Sequence, residues 1–210
     1  MLSDQRFIIM KIINFKLNRI LSFLLLLIMI NNAEPSDDTI AITEFMASNH
    51  NTTEDGYGKS SDWIELYNYG STLINLSGWF LTDNLSIPDK YTFPPDTIIH
   101  PNRFLVVYAS GNRTDNNNDR NNFLHAKFKL SKNGGYLGVI KPDKETVVFD
   151  YSPTYPLQFS DISYGTSMLT TSQKTTLGEN KGYFLKPTPG KVNHASISNM
   201  GPIIRQVMHK

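Results

Sequence analysis

SDWIELYNYGSTLINLSGWFLTD, residues 61–83, is the stretch that decides the fold of this chain. Apolar residues recur in it with a period of about two on both sides of a short polar turn, as in two paired strands over a core. The stretch also holds both tryptophans of the chain, Trp63 and Trp79. We therefore predict strands over residues 61–68 and 78–82.

The rest of the chain shows the same kind of pattern. Short runs rich in Val, Ile, Phe and Tyr alternate with turn residues every 8–12 residues or so, which is typical of an all-β sandwich, here about one domain with tails. No helical pattern is present outside the N-terminal leader. Further strands are predicted at residues 39–46, 90–93, 103–109, 123–130, 136–140, 146–151 and 161–164.

Three details of this assignment concern the second half of the chain. Residues 123–130, FLHAKFKL, alternate between apolar and polar, which predicts a half-buried strand. Asn-Gly-Gly at residues 133–135 predicts the turn of a hairpin over residues 132–140. Beyond Gly165 the strand pattern fades, and Pro-Thr-Pro-Gly at residues 187–190 is expected to end the compact structure.

The N-terminus predicts export. Residues 20–30, ILSFLLLLIMI, are apolar except for one serine, follow three basic residues and precede Asn-Asn-Ala. This order matches a signal peptide over residues 1–33, followed by a linker at residues 34–38. The alternative is an uncleaved anchor, which would be the chain's sole link to a membrane. The apolar run is short for a bilayer-spanning helix, which needs about 20 residues.

Charge and cysteine content exclude several classes. The whole chain has a net charge of +1, but residues 1–33 hold four basic residues and one acidic. The remaining 16 basic and 18 acidic residues give a net charge of −2 without a basic stripe, which argues against a nucleic-acid partner. The absence of cysteine excludes disulfides, thiolate metal sites and a cysteine nucleophile.

Seven short motifs occur in an order that resembles the lamin-tail domain family, and in particular its bacterial exported members. They are Glu-Phe-Met-Ala-Ser-Asn (44–49), Asp-Trp-Ile-Glu-Leu-Tyr-Asn (62–68), Gly-Trp (78–79), Tyr-Thr-Phe-Pro-Pro (91–95), Phe-Lys-Leu-Ser (128–131), Ser-Tyr-Gly (163–165) and Pro-Thr-Pro-Gly (187–190). The resemblance covers residues 39–165 and implies an immunoglobulin-like β-sandwich without catalytic residues. No heptad run is present, so the filament role of lamins is not implied.

No motif predicts catalytic, cofactor-binding or metal-binding residues, and no cofactor is expected. Asp62 and Glu65 could form an acid–base pair, but no histidine or third carboxylate has a matching spacing, so we expect an exposed carboxylate and a strand-edge cap. The Asp- and Asn-rich residues 115–119 could offer oxygen ligands to calcium, but they lack the EF-hand glycine and terminal glutamate, which favours a solvated loop. The five histidines match no zinc motif.

The aromatic residues allow two interpretations. They could form a platform for sugar rings, or they could pack in the core, which the high gain from burying large rings favours. The residues concerned are Trp63, Trp79, Tyr67, Tyr69, Tyr91 and Tyr108.

These observations predict an exported, non-catalytic binding or structural module that mediates cell-surface adhesion or scaffolding. Its partner would be a protein or other cell-surface component, recognised through the loops at residues 47–60 and 111–122. One alternative is the accessory domain of a larger secreted enzyme, a CotH-like kinase or hydrolase. Independently of this alternative, residues 166–200 are expected to form a polar extension or linker. Residues 201–210 are interpreted either as the start of a further, truncated domain or as a loose tail. A carbohydrate- or calcium-binding module is the other alternative.

Overall fold

The computed structural model describes residues 39–111, 123–170, 175–194 and 196–200, together with Lys16, Asn18 and Arg19. The predicted signal peptide and linker, the Asp- and Asn-rich loop and residues 201–210 therefore lie almost wholly outside the described residues. No helix occurs in the described ranges from residue 39 onward. In the described part of the chain, no helix is both long enough and apolar enough to cross a bilayer.

The described strands form three sheets. The largest has the order β12-β11-β1-β2-β7-β8, the second β10-β9-β4-β5, and a small one pairs β3 with β6. Neighbours run antiparallel, except that β7 and β8 are parallel. The strands are β1 Ile40–Met46, β2 Asp62–Asn68, β3 Ile74–Asn75, β4 Phe80–Thr82, β5 Tyr91–Thr92, β6 Ile98–Ile99, β7 Phe104–Ala109, β8 Leu124–His125, β9 Gly138–Ile140, β10 Val147–Asp150, β11 Ser163–Thr170 and β12 Thr175–Phe184.

One hydrophobic core receives side chains from both larger sheets, so the architecture is an all-β sandwich, consistent with an immunoglobulin-like fold. Phe45 of β1 lies near its centre. The Phe45 ring centroid is 5.0 Å from that of Tyr151, 4.9 Å from that of Tyr155 and 5.8 Å from that of Tyr164. Such offset and edge-on ring contacts add to the stabilisation that burial alone provides.

Side chains alternate across the six-stranded sheet, so its other face, here called the outer face, has its own small cluster. Met46, Trp63 and Tyr108 form this cluster, next to one another on β1, β2 and β7. The prediction of core packing is confirmed for five of the six aromatic residues; the sixth, Tyr69, is half-buried.

The strand positions predicted in the first half of the chain are confirmed, with ends that differ by one or two residues. Their expected pairing is wrong for residues 61–68 and 78–82, because β2 pairs with β1 and β7 whereas β4 pairs with β5 and β9 in the second sheet. In the second half, three predictions are wrong. Only Leu124–His125 of residues 123–130 pairs as a strand, although Ala126, Phe128 and Leu130 are buried as the alternation predicts. The hairpin over residues 132–140 does not form; Gly138–Ile140 instead pairs with β4 and β10.

The third error concerns the chain beyond Gly165, where the strand pattern was expected to fade. β11 continues to Thr170, and β12 returns antiparallel beside it as the edge of the large sheet. Residues 166–200, expected to form a polar extension, thus include a strand hairpin. Pro-Thr-Pro-Gly at residues 187–190 does not end the compact structure, because Thr188 and Gly190 bond to the outer face of the sheet.

Candidate functional site

The β1–β2 loop, residues 47–61, has a defined conformation set by Asp55. The Asp55 carboxylate accepts backbone N–H bonds from Tyr57 and Lys59, both at 3.0 Å, and the Ser61 hydroxyl donates to it at 2.6 Å. Gly58 takes a positive φ of 71° within this turn, a conformation that glycine adopts without strain. One buried carboxylate therefore fixes the second half of the loop.

The first half of the loop is tied to the body of the domain. Asn49 Nδ2 donates to the carbonyls of Thr53 and Ser61 at 2.7 and 2.8 Å. Asp161 Oδ1 accepts the backbone N–H groups of His50 and Asn51 at 2.7 and 2.9 Å. Burial acts to raise the pKa of Asp161, but these hydrogen bonds outweigh it and hold the pKa below its ordinary value. A loop held in this way is pre-organised for binding.

An open groove with a volume of about 580 Å³ lies beside this loop. Its rim is apolar: Ile98 is 44% exposed and Phe123 39% exposed. Asp96 is the one lining residue with a formal charge, taking histidine as neutral. The lining residues are Tyr91, Pro94, Pro95, Asp96, Thr97, Ile98, Leu105, Phe123, Leu124 and His125.

His125 joins the groove to the loop. Its ring lines the groove and lies 5.0 Å, between centroids, from the ring of Tyr57 in the loop. Its Nδ1 is 3.1 Å from the Ser110 hydroxyl. We call the exposed part of the β1–β2 loop together with this groove the loop–groove surface. It combines a fixed polar loop with a depression that mixes polar side chains, such as Asp96 and His125, with apolar ones, such as Ile98. Recognition sites often have this mixed character.

A second feature lies in the middle of the outer face. Glu44 of β1 and Glu65 of β2 are directly paired across the two strands, and both are 0% exposed. Glu65 accepts a hydrogen bond from the Thr43 hydroxyl at 2.5 Å. The Ser163 hydroxyl of β11 donates to Glu44 Oε1. In the described part of the chain, no cationic side chain forms an ion pair with either carboxylate.

The segment of residues 186–193, here called the strap, covers this carboxylate pair. The Thr188 N–H lies 3.1 and 3.2 Å from the two oxygens of Glu44, and the Gly190 N–H donates to Glu65 Oε2 at 2.6 Å. Asn193, also buried, donates through Nδ2 to the carbonyls of Thr43 and Thr166 at 2.8 and 3.1 Å. The strap is thus bound by polar groups rather than by apolar packing.

Burial raises the pKa of Glu65 to about 8, and the neighbouring Glu44 charge adds to that increase. Burial also raises the pKa of Glu44, against the opposing hydrogen bonds from Ser163 and Thr188. Perturbed carboxyl groups occur at catalytic sites, but this pair lies under the strap, out of reach of an external substrate. The carboxylate pair therefore fixes the strap to the sheet through the Thr188 and Gly190 amides.

The expectation for Asp62 and Glu65 is wrong for Glu65, which is buried instead of exposed. The two residues are an odd number of positions apart on β2, so they lie on opposite faces of the sheet and do not form a pair. Asp62 accepts the backbone N–H of Leu130 at 3.2 Å, as a strand-edge cap would. Burial raises the pKa of Asp62 to about 6.

Sequence reasoning missed Glu44, Thr188, Gly190 and Asn193 as partners. The Pro-Thr-Pro-Gly motif at residues 187–190 contains two of these residues, and it indicates the family without indicating which side chains it contacts. The described residues contain no cluster of three or more His, Asp or Glu side chains that could hold a metal ion. Residues 115–119, which we expect to form a solvated loop with calcium ligation as the alternative, lie outside the described residues.

The sheets and the shared core define an all-β sandwich. The Lamin Tail Domain family model matches residues 33–180, and the chain belongs to that family. The family is an immunoglobulin-like, non-catalytic one. Among curated proteins, none matches this chain.

Proposed function

We propose that this chain is an exported, non-catalytic binding module that acts in adhesion or scaffolding at the cell surface. The observation that carries the proposal is the loop–groove surface, where a hydrogen-bonded loop meets an open groove with exposed apolar side chains at its rim. A monomeric domain exposes apolar side chains singly without consequence, but a groove with several of them is a feature of binding sites. The partner is a protein or another component of the cell surface.

The described residues support binding rather than chemistry. The buried carboxylate pair is covered by the strap, and the Ser110 hydroxyl that contacts His125 is itself buried and does not line the groove. Export is supported by the N-terminal pattern of basic residues, an apolar run and a short polar end. The hydrogen-bonded loop is the kind of rigidly held segment through which binding modules recognise partners.

The experiment measures binding of the labelled full chain to intact cells of its source. Ile98→Asp places a charge on the apolar rim, and Tyr57→Ser removes the ring that joins loop and groove. We expect each to weaken binding by about tenfold or more, as substitutions at the centre of an interface do. Leu169→Asp is the matched control, since Leu169 is 63% exposed on β11, at the other side of the sheet from β8.

Unchanged binding by both groove variants would overturn the proposal. Equal loss in the Leu169→Asp control would also overturn it, because binding would then not depend on the loop–groove surface. Circular dichroism of each variant verifies that the sandwich is still folded.

A further inference from the structure

The hydrogen bonds around Asn193 fix the direction of a chain of donors. Asn193 Nδ2 donates to two backbone carbonyls, those of Thr43 and Thr166. Reversing the amide would place its oxygen against those two carbonyls, so the orientation is set. Asn193 Oδ1 therefore faces the Thr188 hydroxyl at 2.9 Å as an acceptor. The Thr188 hydroxyl has one hydrogen, and Asn193 takes it.

The same hydroxyl oxygen lies 3.0 Å from Glu44 Oε2. If Glu44 were ionised, Asn193 Oδ1 and Glu44 Oε2 would compete for the single hydrogen of Thr188, and one buried acceptor would face another oxygen without a proton between them. Such a buried unpaired contact is unfavourable. A proton on Glu44 Oε2 resolves the conflict, because Glu44 then donates to Thr188 and Thr188 donates to Asn193.

We propose that the Glu44–Glu65 pair is a buried proton-binding site, occupied on Glu44 Oε2, and that the bound proton holds the strap on the outer face of the sheet. Loss of the proton breaks the chain from Glu44 through Thr188 to Asn193. It also leaves two negative charges directly opposite each other in a buried site, with no ion-paired cation among the described residues, which favours release of the strap and entry of water.

The groups around the pair agree with this assignment. From β7 the neighbour of Glu65 is Val106, and from β11 Ser163 and Gly165 approach Glu44; none of these titrates in the relevant range. The core side offers Tyr151, whose hydroxyl donates to the carbonyl of Ile42 and whose pKa burial raises, so it stays neutral. The titratable side chains of the strap and its flank are exposed: Lys186, Lys191 and His194.

The test follows the carboxyl groups and the strap of the full chain by NMR. Carbon-13 shifts of the glutamate carboxyl groups report protonation, and hydrogen exchange reports protection of the Thr188 and Gly190 amides. We expect Glu44 to be protonated at neutral pH. We expect amide protection, corrected for intrinsic exchange, to fall about tenfold or more between about pH 6 and about pH 9.

Glu44→Gln imitates the hydrogen bonds of a protonated Glu44 at every pH. The glutamine amide nitrogen can donate to the Thr188 hydroxyl, and its carbonyl oxygen can accept from Ser163. Protection of the strap in this variant should change less than about twofold over the same pH range. Glu145→Gln, which alters an exposed carboxylate, should respond as the unmodified chain does.

An ionised Glu44 at neutral pH, or strap protection that does not depend on pH in the unmodified chain, would overturn the proposal. These two measurements need no variant, so they decide the matter even if Glu44→Gln does not fold. Both are independent of whether the loop–groove surface binds a partner.

Discussion

Glu44 and Glu65 face each other across β1 and β2 with no exposed surface and no counter-ion in the described residues. Burying two carboxyl groups side by side is costly unless each is hydrogen-bonded or neutral. The strap supplies hydrogen bonds from Thr188 and Gly190, and a proton supplies neutrality. The C-terminal strap is therefore as much a part of the sandwich as the strands beneath it.

Stability is expected to fall as pH rises from about 5 to about 8. Burial raises the pKa of folded Glu65 from 4.5 to about 8, so the folded state binds more protons than the unfolded state between these values. Unfolding then releases protons and is favoured by higher pH, with a slope of up to about 1.4 kcal/mol per pH unit. Asp62, with its pKa raised to about 6, acts in the same direction.

Urea unfolding at a series of pH values measures this slope. Glu44→Gln and Glu65→Gln should each flatten it, because either change removes one of the two coupled carboxyl groups whose proton uptake produces the slope. A free energy of unfolding that rises steadily over the same range would contradict the assignment of raised pKa values to the pair.

Asn193→Ala is expected to destabilise the domain by about 2 kcal/mol, because the carbonyls of Thr43 and Thr166 lose a shared buried donor. Asn193→Asp should be worse than Ala, since a carboxylate would face those two carbonyls. Equilibrium urea unfolding ranks the two variants. An Asp variant as stable as the unmodified chain would show that the amide does not hold the strap.

Gly165→Ala is expected to cost about 3 kcal/mol or more. A Cβ at this position would lie 2.0 Å from the Thr43 carbonyl oxygen, so the backbone of β1 or β11 would have to move. Gly78→Ala is the control, because Gly78 has a φ of 76° but no atom within 4 Å of an added Cβ. Its cost should be about 1 kcal/mol, from backbone conformation alone. Equal costs, measured by thermal unfolding, would refute the close approach.

Asp55→Ala should loosen the β1–β2 loop without unfolding the sandwich. The N–H groups of Tyr57 and Lys59 lose their acceptor, so their hydrogen exchange should become faster, while exchange in β1 and β2 stays unchanged. Asp55→Asn keeps an acceptor oxygen and should retain most of the protection. If the Ala variant showed the same exchange rates at Tyr57 and Lys59, the carboxylate would not be the organiser of the loop.

The β-sandwich could be predicted because the alternation of apolar and polar residues indicates which side chains are buried, and turn residues indicate where the chain reverses. Alternation does not report hydrogen-bond partners, which explains the error at residues 123–130. Phe128 is buried as predicted, but strand pairing with β7 is limited to Leu124 and His125, and only single backbone bonds follow, from Ala126 to the Tyr108 carbonyl and from Gly111 to the Phe128 carbonyl. The same limit explains the missing hairpin. The chain does turn at Lys132 and Asn133, but Gly135 then bridges to Tyr155 instead of beginning the second strand of a hairpin.

The carboxylate pair could not be predicted because a glutamate on a strand normally marks the solvent face. Glu65 is buried only because the strap, more than a hundred residues further along the chain, returns to cover it. The loop–groove surface was predicted in part: residues 47–60 were identified from their polarity. The groove was missed, because it is built from segments that are distant in sequence, such as Pro94 and His125.

The central claim is that the loop–groove surface binds a component of the cell surface. A saturation measurement with labelled full chain on intact source cells tests it most directly, comparing the unmodified chain with Ile98→Asp and Leu169→Asp. We predict saturable binding that Ile98→Asp weakens about tenfold or more and Leu169→Asp leaves unchanged. Binding that is absent, or equal in all three proteins, would contradict the account.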